Sequence, residues 1–392
     1  MKKFFLLATL ILVDLLSAAE LDLFVPSFPE IREHFGLTTF WVEMLLSVNF
    51  IGYCTSLFIV GTLADKYGRK PLIMLGLSIF IVGSIICVTA TAFEALLVGR
   101  FLQGLGIAAP SILCFLVIAD EYPLKEQQSL FAILNGIMNA TLGIAPVVGS
   151  YITMYFHWHG NFMALLLFGV LCLFAAQLFI PSRKIEHNEN FTPTGYRSIV
   201  KSLPVMLITI YIGIMCIPYW IFVGMSPILY MEDLGVSLSH FGFYQGILAF
   251  LFAVGSIAFG FVVKKFEQKS LLNFTNLIFV LSLIAIFYVT WVDSKNPVLL
   301  TFAILIFVIG QIIPSVILYP LCLSLMPQSK ARISAIMQGL RLVLTALSLQ
   351  VAGYFYQGSF QNIGIIILVF VALSILSLYV VVRNKRIRKI LE

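Results

Sequence analysis

Long apolar runs separated by short polar segments repeat along the whole chain. Twelve runs have about twenty residues or more, enough for a helix to cross the ~30 Å hydrocarbon layer of a bilayer. The predicted spans cover residues 4 to 26, 41 to 63, 71 to 92, 95 to 118, 128 to 155, 161 to 180, 205 to 229, 240 to 263, 271 to 292, 298 to 323, 333 to 356 and 362 to 382. The pattern therefore predicts an all-α polytopic membrane protein with twelve transmembrane helices.

A polar segment at residues 181–204 divides these runs into two groups of six. It predicts a cytoplasmic linker between an N-terminal six-helix bundle at 1–180 and a C-terminal bundle at 205–392, which ends in a short basic tail. The stretch F-A-I-L-N-G-I-M at 131–138 recurs as S-A-I-M-Q-G-L-R at 334–341. A repeat half a chain apart predicts two pseudo-symmetric halves, with a substrate site near the membrane mid-plane between them.

Composition and charge agree with this class of protein. Of the 392 residues, 60% are hydrophobic and 11% are charged, whereas a soluble chain carries far more charge. All of the 24 Lys and Arg residues except Arg32, Arg100, Lys295 and Arg341 fall in segments that are cytoplasmic when both termini are inside. The net charge of +6 is thus explained by topology, and nucleic-acid binding is not expected.

Several other kinds of protein are disfavoured by the sequence. The six cysteines lie singly in different apolar runs, which predicts neither disulfides nor a metal site. Lys2 and Lys3 followed by an apolar run resemble a signal peptide, but cleavage would remove the acidic first span, so we reject that reading. No G-x-x-x-x-G-K-[ST] loop is present, which predicts energy from an ion gradient and no cofactor.

Three acids, Asp14, Glu20 and Asp22, lie in or at the end of the first span. A carboxylate at the centre of a lone spanning helix costs roughly 2.5 to 3.5 kcal/mol, so these acids are expected to face protein or water and to bind a proton, an ion or a charged substrate. Asp14 and Asp22 differ by ~80° of rotation and ~12 Å of rise, which lets both border one cavity. Glu20 lies about 160° from Asp22 and is predicted to face another helix, while a place along the cavity stays open.

The loop G-T-L-A-D-K-Y-G-R-K at 61–70 resembles the signature loop between helices 2 and 3 of the major facilitator superfamily. The resemblance implies the major facilitator fold and transport by alternating access. It also implies a conformational latch near the cytoplasmic surface, formed by Gly61, Asp65, Gly68, Arg69 and Asp120. For Asp120 the alternative is a solvated helix end.

The stretch L-V-G-R-F-L-Q-G-L-G at 97–106 resembles the helix-4 motif of the same family, whose membrane arginine is linked to proton coupling. Arg100 lies ~9 Å and Asp22 ~6 Å inside the same predicted membrane face, so we expect these two side chains to meet. An alternative is an arginine bonded to backbone carbonyls. The predicted proton-coupling residues are Asp14, as the main proton carrier, with Asp22 and Arg100.

Two further sets of residues resemble particular branches of the same superfamily. Gly143, Pro146 and Gly149 partly match the antiporter motif of helix 5, with ordinary small-residue packing as the alternative. The pattern S-P-x-x-Y at 226–230 and the stretch D-L-F-V-P-S-F-P at 22–29 resemble the Bcr/CflA drug-resistance branch.

The predicted function is proton-coupled efflux of drugs or other small organic molecules by a monomer in the cytoplasmic (inner) membrane. The partners are a small-molecule cargo, protons and the bilayer. The predicted cavity residues are Asp14, Glu20, Gln103, Asn135, Asn139, Tyr219, Gln338 and Arg341. If Arg341 binds an anionic group, the alternative is an importer of a metabolite or siderophore. A receptor is disfavoured by the intact signature loop, and an enzyme by the lack of a nucleophile–base constellation.

Overall fold

A computed structural model describes residues 2–122, 124–182, 195–262, 266–326 and 330–391, which are almost entirely helical. The α-helices are α1 (Lys2–Asp22), α2 (Phe28–Phe35), α3 (Thr39–Tyr67), α4 (Arg69–Val88), α5 (Phe93–Glu121), α6 (Leu124–Phe179), α7 (Gly195–Val200), α8 (Leu203–Pro227), α9 (Leu238–Val262), α10 (Gln268–Trp291), α11 (Pro297–Ser324), α12 (Lys330–Phe355), α13 (Phe360–Arg383) and α14 (Lys385–Leu391). A 3-10 turn (Val25–Ser27) follows α1 and a π-helical turn (Ile228–Asp233) follows α8.

Eleven helical stretches in the described part of the chain are long and apolar enough to cross a membrane. One of them, Gly136–Phe179, covers most of two predicted spans. His157, with φ 59° and ψ −175°, breaks the helical backbone between them, inside the predicted gap at 156–160. Counting the two sides of this break separately gives twelve spans, as the hydrophobic pattern predicts.

The chain divides into two compact units. Unit 1 contains Met1–Glu189 and Ser237–Phe250, and unit 2 contains Asn190–Val236 and Leu251–Glu392. The first part of α9 joins unit 1 because Gly242 and Gly246 bring its backbone against Val147 and Gly143 of α6. The division into bundles at 1–180 and 205–392 with a linker at 181–204 stays a prediction.

Helices in unit 1 pack closely around α5. The principal packing is of α3 and α4 on α5 and of α1 on α6. Glycines permit this approach, since a Cβ at Gly52 would collide with the Phe101 carbonyl and one at Gly76 would lie 2.7 Å from the Pro110 ring. Such small residues at helix contacts are typical of proteins in membranes, where van der Waals packing drives helix association.

In unit 2, α8 packs against α11, α12 and α13, and α10 packs against α11 and α13. The tyrosine of the S-P-x-x-Y pattern lies in the π-helical turn after α8. Its hydroxyl donates to the Pro297 carbonyl at 3.1 Å and lies 2.7 Å from the Thr301 hydroxyl. Tyr230 thus ties the end of α8 to the start of α11.

Candidate functional site

The three acids of α1 lie inside the protein. Asp14, Glu20 and Asp22 are 1%, 0% and 2% exposed. The packing of α1 on α6 includes a contact of the Cys172 thiol with the Leu12 carbonyl, at 3.5 Å. None of the acids faces lipid, as the cost of placing a carboxylate in hydrocarbon requires.

Glu20 forms a buried ion pair with Arg100 of α5. The Arg100 Nη1 atom lies 2.8 Å from Glu20 Oε1, and both side chains have 0% exposure. The Asn49 amide of α3 donates to the same Oε1 atom at 2.6 Å and to the Arg100 carbonyl at 3.1 Å. The guanidinium also lies over the Phe24 ring, 4.0 Å from its centroid. This pair therefore joins α1, α3 and α5 through charge-assisted hydrogen bonds.

The network continues into α4. Gln103 accepts a hydrogen bond from Arg100 Nη1 at 2.7 Å and donates to the Ser84 hydroxyl at 2.8 Å. Ser84 in turn donates to the Phe80 carbonyl at 2.9 Å. These contacts give the buried arginine several acceptors, as expected where charge is removed from water, while Arg100 Nη2, Glu20 Oε2 and Asn49 Oδ1 have no hydrogen-bond partner among the described residues.

The predicted pairing of Arg100 with Asp22 is wrong, because Glu20 is the ion-pair partner. Asp22 was expected to be the partner because it lies at a similar membrane depth to Arg100. The contact depends instead on which side of α1 faces α3 and α5. That side carries Glu20, which lies about 160° around the helix from Asp22. Glu20 and Gln103 were also named as cavity residues, and that role stays a prediction. Both side chains are fully buried in the hydrogen-bond network between helices of unit 1.

The other two acids of α1, Asp14 and Asp22, lack the described partners that Glu20 has. Neither carboxylate oxygen of Asp14 has a hydrogen-bond partner among the described residues, and the same holds for Oδ1 of Asp22. Asp14 lies near the Cys114 thiol of α5. A fully buried carboxylate without a partner is stable only when it carries a proton or when a cation approaches it. The geometry thus separates a paired acid, Glu20, from an unpaired one, Asp14.

Glu43 of α3 is a buried acid that belongs to none of the sequence motifs. It is 0% exposed, and neither of its carboxylate oxygens has a described partner. A signal was present, since Glu43 is a single acid near the start of an otherwise apolar run at 41–63. Asn49 and Ser84, which complete the Arg100 network, were also missed, because a lone amide or hydroxyl in an apolar run carries no such signal.

One of the predicted latch contacts, between Arg69 and Asp120, is present in the structure. Arg69 Nε, at the start of α4, lies 3.3 Å from Asp120 Oδ2, near the end of α5. Gly68 has φ 94°, a conformation that favours glycine, and it allows the tight turn from α3 into α4. The side chain of Asp65 and the surroundings of Gly61 lie outside the part of the chain that the structure describes.

The glycines of the helix-5 motif have different neighbours. A Cβ at Gly149 would collide with the Leu23 carbonyl after α1, so only glycine permits this approach. A Cβ at Gly143 would lie 3.2 Å from the Phe250 nitrogen of α9. The Pro146 carbonyl accepts a hydrogen bond from the Ser150 hydroxyl at 2.8 Å. This motif thus supports close packing of α6, and its role in antiport stays a prediction.

In unit 2, the predicted cavity residues Tyr219, Gln338 and Arg341 are partly exposed. Arg341 of α12 forms no ion pair with a described carboxylate, and its Nε atom has no hydrogen-bond partner among the residues that the structure describes. Its side chain lies beside the Cys216 thiol of α8. The side chains of the other two predicted cavity residues, Asn135 and Asn139, lie outside the described structure.

A histidine cluster occupies the turn between the fifth and sixth predicted spans. His157 Nδ1 lies 2.8 Å from Glu30 Oε1 of α2, and the His159 ring stacks on Trp158 with 3.5 Å between centroids. Partial burial and the neighbouring His34 lower the pKa of His159, opposed by the charge of Glu30. Among the described residues, no group of three or more His, Cys, Asp or Glu side chains is arranged to hold a metal ion.

The sequence is similar to a known protein family and to named members of it. Residues 10–349 match the family model described as Major Facilitator Superfamily. The chain is 28% identical over 280 residues to a protein named multidrug resistance protein MdtL from Klebsiella pneumoniae (strain 342), covering 70% of each chain. It is 27% identical over 277 residues to the MdtL protein of Salmonella heidelberg (strain SL476), covering 69% of each.

Solved structures share the fold. An inward-facing, occupied bacterial homologue of the human lysosomal transporter Spinster matches with a TM-score of 0.78 and 14% identity, over 97% of both chains. A D-xylose–proton symporter matches with a TM-score of 0.75 and 14% identity, over 97% of this chain and 98% of that one. At these identities the likeness concerns the fold alone.

Proposed function

Because the chain belongs to the major facilitator superfamily, we propose that it is a secondary active exporter that exchanges protons for drugs or other small organic molecules. The protein is a multi-pass membrane protein of a transporter family. The proposal adds that it works as a monomer, in a bacterial inner membrane with both termini cytoplasmic. The relatives named multidrug resistance proteins, which are bacterial, support drug export from a bacterial cell, and the basic residues of the predicted cytoplasmic segments support cytoplasmic termini.

The observation that carries the proposal is the contrast between Asp14 and Glu20. Both acids are buried on α1, yet Glu20 has Arg100 and Asn49 as partners while both oxygens of Asp14 have none among the described residues. A paired acid keeps its charge and holds helices together, whereas an unpaired buried acid can bind a proton and release it once water or a cation reaches it. Asp14 is therefore our choice for the main proton carrier, with Asp22 as the secondary one.

Coupling follows if proton and cargo favour different conformations. Cargo that approaches Asp14 competes with its proton, and proton release on one side of the membrane resets the carrier. A proton that moves down a membrane potential of 100 mV releases about 2.3 kcal/mol, which is available to concentrate cargo. The Arg69–Asp120 contact would bias the conformational equilibrium, while the Glu20–Arg100 pair keeps α1 attached to α3 and α5.

Uptake into inverted membrane vesicles with an acidic interior tests the proposal. The panel contains one molecule of each charge class: ethidium as a cation, chloramphenicol as a neutral molecule, norfloxacin as a zwitterion and benzoate as an anion. Efflux predicts that vesicles from cells that express the protein concentrate at least one of them, and that a protonophore abolishes this uptake. Proton-driven accumulation only in right-side-out vesicles would replace the exporter by an importer, and no proton-driven movement in either would refute both.

Arg341 favours a second candidate on the same scaffold, an importer of a metabolite or siderophore with an anionic group. Its guanidinium has no described carboxylate as a partner, and Thr345, one turn further along α12, has an unpartnered buried hydroxyl. An unpaired arginine within a membrane span needs an anion or water nearby. If cargo supplies the anion, Arg341→Gln weakens transport of norfloxacin or benzoate and leaves that of chloramphenicol unchanged. Equal losses for all of them would show that Arg341 does not recognise an anionic group.

A further inference from the structure

Glu43 lies one turn into α3, apart from the acids of α1. Its side chain is fully buried and both carboxylate oxygens lack a hydrogen-bond partner among the described residues. The hydrogen bonds and ring contact described above for Glu20 and Arg100 do not involve Glu43. The transporter thus contains a second buried acid site, on a different helix from Asp14.

The charged groups nearby do not neutralise Glu43. The helices that pack against α3 are α2, α4 and α5. Their titratable or charged residues toward this end of α3 are Glu30, Arg32, Glu33 and His34 of α2 and Glu94 and Arg100 of α5. None of these described residues donates a hydrogen bond to Glu43.

The cost of burying a charge restricts the protonation state of the Glu43 side chain. An isolated ionised carboxylate in a protein interior costs far more free energy than a neutral acid, and a buried charge without its partner is strongly destabilising. Glu20 shows how the same protein stabilises a buried charge, with a guanidinium and an amide. Glu43 has neither a guanidinium nor an amide partner among the described residues, so burial favours its neutral, protonated form.

Hydroxyl groups lie on the same face of α3 on either side of Glu43. Thr39, the first residue of α3, and Ser47 are each four residues away, and both are buried. Residues four apart share a helix face, and hydroxyl groups both donate and accept hydrogen bonds. These hydroxyl groups begin at the first residue of α3 and lie on the same face as the carboxylate.

We propose that Glu43 is a second proton-binding residue, which is protonated in this conformation and releases its proton during the transport cycle. The carboxylate accepts a proton from water on one side and returns it to water on the other, with no other bond changed. The second part of the inference rests on the proposed exchange of protons for cargo. It predicts that each cycle moves one more proton than the acids of α1 account for.

The first test reads protonation directly and needs no cargo. In infrared spectra of purified protein near pH 7, a protonated carboxyl group gives a separate C=O stretching band, and ¹³C-labelled glutamate shifts the band of a glutamic acid. We expect a glutamic-acid band in labelled wild type that disappears in Glu43→Gln and persists in Glu94→Gln, which alters an exposed acid of α5. Absence of the band from wild type would overturn the proposal, even if Glu43→Gln failed to fold.

The second test measures the number of protons exchanged per cargo molecule. In proteoliposomes, the cargo gradient that just balances a fixed proton gradient gives this ratio, for the panel member that wild type transports best. We expect Glu43→Gln to lower the ratio by about one proton, and Glu94→Gln to leave it unchanged. An unchanged ratio in Glu43→Gln overturns the role in the cycle. If wild type exchanges no protons at all while the infrared band is present, the proposed function fails and the proton-binding site stands.

Discussion

Loss of the charge on Glu20 should destabilise the protein far more than loss of the charge on Asp22. The isosteric change Glu20→Gln leaves the Arg100 guanidinium fully buried without a counter-ion. Two unit charges 4 Å apart attract by about 4 kcal/mol at an effective dielectric of about 20, and removing one partner of a buried pair costs about 3–5 kcal/mol. We therefore expect a loss of about 4 kcal/mol in the free energy of unfolding.

Asp22→Asn is the matched control, because it removes a carboxylate from the same end of α1 with nearly the same burial. Asp22 has no ion-pair partner and one unpartnered oxygen among the described residues, so we expect a change of less than about 1 kcal/mol. Unfolding in mixed micelles with added SDS measures both values. A double-mutant cycle with Arg100→Gln then isolates the pairwise terms.

The cycle distinguishes the two possible partners of Arg100. Independent sites give additive effects within about 0.5 kcal/mol, so the Asp22–Arg100 cycle should close within that limit and the Glu20–Arg100 cycle should not. A larger coupling for Asp22 than for Glu20 would refute the assignment of Glu20 as the partner.

Three further predictions concern the latch, the helix-5 motif and the histidine turn. Arg69→Ala should slow transport several-fold while it changes the free energy of unfolding by less than about 1 kcal/mol, because the contact with Asp120 is partly exposed; unchanged transport rates would remove its role as a latch. Gly149→Ala should destabilise the protein by at least about 1 kcal/mol through the clash with the chain after α1, and Gly143→Ala should do so less; equal effects in thermal unfolding would contradict this. The pKa of His159 is lowered from its ordinary value of 6.5 in the folded protein. As pH falls below about 6.5, the unfolded chain therefore binds a proton at this residue before the folded protein does, and the free energy of unfolding decreases. His159→Gln should flatten that part of the stability profile, and a profile identical to that of wild type would exclude His159 as the cause.

Hydrophobic patterning was sufficient to predict the helices long enough to span the membrane, but not the short helices α2, α7 and α14. The break at His157 lies in the predicted gap between the fifth and sixth spans, although α6 otherwise continues through it. Runs of apolar residues fix length and number because the bilayer sets both. The motif at 97–106 likewise identified Arg100 as a buried membrane arginine.

The contacts within the bundle were less predictable. Depth alone suggested Asp22 as the partner of Arg100, but the pair depends on which face of α1 meets α3 and α5. That face is set by packing, for example where Gly104 admits the Asn49 carbonyl against α5. Glu43 shows the same limit, since its isolation is a property of the neighbouring helices and not of its own sequence.

Proton release on cargo binding tests the central claim, that Asp14 carries the coupled proton, most directly. Purified protein is placed in weak buffer, and the panel member that wild type transports best is added while pH is recorded. We predict that wild type and Glu94→Gln release protons, whereas Asp14→Asn still binds the cargo but releases fewer protons and does not concentrate cargo in proteoliposomes. If Asp14→Asn releases as many protons and concentrates cargo as wild type does, Asp14 is a structural acid and the account is contradicted.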